Sequence, residues 1–95
     1  MKQTEYNNLQ ELVSFNIKYF RYVNKISQEK LAELANLSPE YISSIERELH
    51  SLTIDKLELI AKGLKIDPYQ LLKIQDVDKN ILMKINKGRQ YNQKM

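Results

Sequence analysis

The 95 residues contain no cysteine, so no disulfide framework and no thiolate metal site can hold this chain together. Histidine is nearly as scarce. With His50 alone, neither a histidine metal site nor a nucleophile–base pair can be assembled by spacing, and no glycine-rich phosphate loop is present. These shortages argue against catalysis, a metal, a cofactor or a small-molecule ligand. No apolar run approaches the roughly 18 residues that a membrane span requires. The first ten residues, MKQTEYNNLQ, lack the apolar stretch of a signal peptide, so a cytoplasmic location is expected. Two glycines, two prolines and no alternating Val/Ile/Thr-rich run exclude a β architecture and point to an all-α fold.

What is present is enough apolar residue, 42%, for one core in one folding unit. Stability has to come from packed helix faces. The formal charge of +3 suggests a polyanionic partner, but it is unevenly spread. Residues 1–55 hold more acids than cations and 56–78 balance, whereas 79–95 carry Lys79, Lys84, Lys87, Arg89 and Lys94 with no acid. Net charge alone therefore does not define the partner.

The apolar positions Leu9, Leu12, Val13, Ile17 and Phe20 have helical spacing, and that helix is expected to stop near Asn24, a residue that tolerates the left-handed conformation. Residues 1–8 read as a polar lead-in, 9–74 as the domain, and 75–95 as a C-terminal helix and basic tail, disordered from Arg89. Ser27 caps a helix of about 28–35, with a turn at Asn36. Ser38 followed by Pro39 starts a third helix, about 39–47. Thr53 caps a fourth, about 54–62, ended by Gly63. Asp67, Pro68 and Gln70 combine cap, first-turn proline and capping-box residue for a fifth. Val77, Ile81 and Ile85, four apart, allow a sixth from about 78 to 87, before Gly88. The tyrosines are too scattered for a base-stacking platform; Tyr19, Tyr22 and Tyr69 are expected to pack.

Residues 28–47 thus form two short helices around a tight turn. Ala32 is small where the helices must cross, and Leu31, Leu37, Ile42 and Ile45 face a shared core. The outer face of the second helix is left with Pro39, Glu40, Ser43, Ser44 and Arg47, all small, polar or charged, as a helix lying in a DNA major groove requires.

From about residue 13 to 72 the chain resembles the phage repressor/Cro family, also called the XRE-type helix-turn-helix family. The resemblance rests on NIKYFR (16–21), SQEKLA (27–32), YISSIER (41–47), LELIAKGL (57–64) and Leu71 with Leu72. Within it, YIS (41–43), IER (45–47) and LTI (52–54) are most similar to controller proteins of restriction–modification systems. The resemblance implies a five-helix, lambda-repressor-like domain, with a C-terminal sixth helix added, and binding of double-stranded operator DNA without catalysis.

It further implies that Gln28 donates to a phosphate beside a helix N-terminus, and that Pro39, Glu40 and Ser44 face base edges. Ser38, Tyr41, Ser43, Arg47 and His50 are candidate flanking contacts. Arg21 and Glu46 occupy the family's structural ion-pair positions, and Glu48 stands where the family has glycine. The motif carries more acids than cations, so Lys18, Lys25 and the basic tail are the obvious sources of compensation. That acidity also leaves open a protein-binding helix-turn-helix, such as an antitoxin. One module reads few base pairs, so a homodimer on a palindromic site is expected. Its interface is expected from the apolar residues beyond the family core, Ile74, Val77, Ile81, Leu82 and Ile85, with Tyr69 and Leu72 contributing.

Overall fold

The computed structural model describes residues 6–93, with side chains through Lys87. Five α-helices and one 3-10 turn follow in order: α1 Leu9–Val23, α2 Gln28–Ala35, α3 Pro39–Glu46, α4 Ile54–Leu64, the 3-10 turn Pro68–Leu72, and α5 Lys79–Gln93. The helix starts are made by short polar side chains. Asn8, Ser27, Ser38 and Thr53 each adopt extended backbone and accept from the backbone N–H three residues on, at Glu11, Lys30, Tyr41 and Lys56.

Four details of the expected layout are corrected. Asn24 is the α1 C-cap in right-handed conformation, and the left-handed residue is Lys25, φ 57°. Gly63 lies inside α4, which runs on to Leu64 and ends on left-handed Lys65, φ 62°. The glycine serves packing instead: a Cβ there would meet Leu31 Cδ1 at 3.1 Å and the Ala35 backbone N at 3.3 Å. The fifth helix is a 3-10 turn, and Asp67 makes no side-chain cap bond. The sixth, α5, spans Lys79–Gln93, past the end expected before Gly88; the disorder expected from Arg89 falls on residues whose side chains lie outside the described ones. Residues 1–5 of the polar lead-in, and Lys94 and Met95 of the tail, lie outside the described residues.

The main core is Val13 and Ile17 of α1, Leu31, Ala32 and Ala35 of α2, Ile42 and Ile45 of α3, Ile60, Ala61 and Leu64 of α4, and Leu71. Burying a side chain of the Val, Leu or Ile kind contributes about 1.5–3 kcal/mol. A second, smaller cluster holds α5: Val77 and Ile85 are buried with Tyr19, and Ile81 and Leu82 pack beside them against Phe15, Phe20 and Tyr22. The Tyr19 hydroxyl accepts from the Asp78 N–H at 3.2 Å, just before α5 begins. Tyr69, expected to pack, is exposed.

Candidate nucleic-acid interface

The interface is built on a buried charge. Glu46, at the end of α3, accepts from Arg21 Nε at 2.7 Å and Arg21 Nη2 at 2.9 Å, a bidentate pair joining α1 to α3. Both residues are about as buried as the apolar core, at 5% and 4% exposure, where an unpaired charge would be costly. The guanidinium also donates from Nη1 to the Ile26 carbonyl at 3.1 Å and lies 4.9 Å from the centre of the Tyr22 ring. Burial by itself would lower the Arg21 pKa, but the hydrogen bonds and charge of Glu46 outweigh it and the net direction is upward, so the side chain stays charged.

Gln28, the first residue of α2, joins the same carboxylate. Its Nε2 donates to Glu46 Oε1 at 3.1 Å, a link the sequence reading did not foresee. A carboxylate only accepts, so the amide must present its NH2 group here, and one of its two protons remains for another acceptor. The candidate phosphate contact is thereby tethered to the helix that would read bases.

On α3, Ser38 accepts from the Tyr41 N–H, and its hydroxyl proton is left to donate outward. Pro39, Glu40 and Arg47 are exposed, and Ser43 and Ser44 half-buried, so the face expected from helical spacing is formed. Ser44 Oγ donates to the Glu40 carbonyl at 2.8 Å, spending its proton and leaving lone pairs to the outside. Tyr41 packs on the main core, and burial pushes its pKa up. Glu48 takes the left-handed conformation, φ 61°, so the turn is made without the family's glycine, with Glu48 N–H on Ile45 O and Leu49 N–H on Ser44 O. His50 is exposed in the following loop, and its carbonyl accepts from Gln10 Nε2 at 2.7 Å. It joins the α3 face only through that loop.

Three polar side chains on α1 position these parts and were not anticipated. Ser14 Oγ donates to the Ile45 carbonyl at 2.7 Å and Gln10 holds the loop after α3. Asn16 Nδ2 donates to the carbonyls of Leu71 and Lys73, at 2.9 and 2.8 Å. A signal existed for Asn16. It lies three and four places from Val13 and Leu12, within the apolar stripe of α1, where a polar residue has to find a partner.

The residues named for dimerisation separate into two groups. Val77 and Ile85 are 2% and 6% exposed because α5 folds back on α1, so their side chains are used within the chain; the expectation that they form an intersubunit surface is corrected. Ile81 and Leu82 are half-buried in the same cluster. Tyr69, Leu72 and Ile74 remain exposed, at 59%, 44% and 47%.

Two capped short helices, crossing on small residues and leaving the outer face of the second free, define a helix-turn-helix protein. The HTH_3 helix-turn-helix family matches residues 17–71, and the chain belongs to that family. Control protein C.SmaI of Serratia marcescens is 35% identical over 65 residues, covering 68% of this chain and 77% of that protein. Control protein C.BamHI of Bacillus amyloliquefaciens is 37% identical over 67 residues, 70% of this chain and 83% of that protein. Among solved structures, the restriction–modification controller protein C.Esp1396I, as a tetramer in complex with its natural 35 base-pair operator, matches with a TM-score of 0.65 at 38% identity, covering 84% of this chain and 97% of that one.

Proposed function

We propose that this protein is a sequence-specific, DNA-binding transcription regulator of the restriction–modification controller type, which reads a palindromic operator as a homodimer and performs no catalysis. The observation that carries the proposal is the free polar face of α3, held on a scaffold whose buried Arg21–Glu46 pair also tethers Gln28. Gln28 uses its remaining amide proton on a phosphate and sets the register, while Pro39, Glu40 and Ser44 meet base edges. Glu40 and Ser44 both accept hydrogen bonds in this geometry, so they fit the amino groups of cytosine or adenine. Pro39 fits a thymine methyl. Ser38, Tyr41, Ser43, Arg47 and His50 flank these contacts. The exposed Tyr69, Leu72 and Ile74, with Ile81 and Leu82 at the margin, form the dimer surface. A cytoplasmic location belongs with this reading.

The test is selection of duplexes from a random pool by the purified chain at physiological salt. A two-fold symmetric sequence should emerge, with half-sites about one helical turn, roughly 34–36 Å, apart. Glu40→Ala or Ser44→Ala should then change preference at one base position by about 1–3 kcal/mol, whereas Gln28→Ala should weaken all duplexes alike. If nothing is enriched, the DNA reading is wrong; if every substitution causes uniform loss, α3 is not in the groove.

A further inference from the structure

The helix-turn-helix segment carries more acids than cations, and a segment of that sign does not approach a polyanion without compensation from elsewhere in the fold. Residues 12–28 hold three cations and no acid, and 79–95 hold five and no acid; most of that second, more basic stretch is α5. On the side of α5 that meets α1, Ile81, Leu82 and Ile85 are packed; on the other, Lys79, Lys84 and Lys87 are exposed. Neither Lys84 nor Lys87 has an ion-pair partner among the described residues. The aliphatic pattern ends at Ile85, yet the helix runs on to Gln93, a polar extension of about 9 Å beyond Lys87 at 1.5 Å per residue.

Its placement is informative. Leu82, Ile85 and Asn86 of α5 line one side of a cleft of about 250 Å³, whose other walls include Lys18 and Glu11 of α1, with Glu46 and Glu48 at the end of α3. The basic helix therefore lies across this cleft from the end of the base-reading helix, whose Glu46 lines it. We propose that the exposed cationic side of α5, with Lys84 and Lys87 as its described members, is a second DNA-backbone contact that grips phosphates flanking the half-site and offsets the acidity of the helix-turn-helix. This inference rests on the DNA-binding reading above. The contact is to charge alone, so it adds affinity to every duplex and leaves base preference unchanged.

The experiment compares the full-length chain with Lys84→Gln/Lys87→Gln and with Lys84→Arg/Lys87→Arg, measuring binding to the selected duplex by fluorescence anisotropy over a range of salt concentrations. Each lost phosphate contact lowers the slope of log K against log salt by about 0.9, so a homodimer of the glutamine variant, losing two contacts per protomer, should lose about 3–4 units of slope and well over about tenfold in affinity near 0.15 M salt. The arginine variant should keep both, and the ranking of operator variants should not move. An unchanged slope in the glutamine variant, with the full-length chain binding normally, overturns the role of α5 and leaves the DNA reading standing. Equal loss in the arginine variant overturns it as well, since charge would then not be the cause. Absence of duplex binding by the full-length chain defeats the DNA reading and this one together.

Discussion

Glu46 satisfies three donors with two oxygens, the buried Arg21 Nε and Nη2 and the half-buried Gln28 Nε2. Arg21→Ala would strand that carboxylate and should cost about 3–5 kcal/mol. Urea denaturation checks this, and undiminished stability would mean that the pair does not hold α3 in place. Lysine should restore little, because it lacks the planar fork that engages both oxygens. Glu48 gives the opposite sign. A non-glycine residue in the left-handed region costs about 1–2 kcal/mol, so Glu48→Gly should stabilise the chain by about 1 kcal/mol after allowing for the extra freedom of glycine when unfolded. A lower midpoint in that variant would show that the Glu48 side chain matters more than its backbone strain.

At the scale of elements, the helix starts were legible in the sequence because a cap is a local device. Ser27, Ser38 and Thr53 bond to N–H groups three residues away, and nothing distant changes that. The helix ends were less legible, because packing decides them. Gly63 looked like a terminator, but α2 crosses so near that a Cβ there would have to push Leu31 and the Ala35 backbone aside. Gly63→Ala would gain about 1 kcal/mol in helix propensity and lose about 1–3 kcal/mol to overpacking against Leu31 and the Ala35 backbone. Thermal unfolding should therefore show a net loss of stability; a clear gain would mean that α2 yields. The segment after Asp67 has every local mark of an α-helix, yet it stays a 3-10 turn. Asn16 takes the carbonyls of Leu71 and Lys73, and Leu71 is drawn completely into the core. A capping-box pattern cannot report on a partner 55 residues away.

For the whole molecule, folding α5 onto α1 changes how dimerisation must be tested. Removing everything after Lys73 would expose Tyr19 and delete Val77 and Ile85 from the inside, confusing loss of an interface with loss of a core. Substitutions on the exposed patch avoid this. Tyr69→Glu with Ile74→Glu should leave the fold intact, give a monomer in sedimentation at tens of micromolar, and lose preference for a palindrome over a single half-site. If the doubly substituted chain still sediments as the unmodified one does, the dimer surface lies elsewhere.

What the sequence determined by itself follows from short-range physics: an all-helical chain, its capped helix starts, the polar outer face of α3, and a core of residues at helical spacing. The family resemblance added the positions of the Arg21–Glu46 pair. The tertiary structure alone decided that Gln28 shares Glu46 with Arg21, that Ser14 and Asn16 bond to backbone far along the chain, and that Val77 and Ile85 belong inside the protomer. Each of these depends on which helix packs on which. Helical periodicity marks a residue as apolar and facing something, but it carries no information on whether that something is α1 of the same chain or the surface of another.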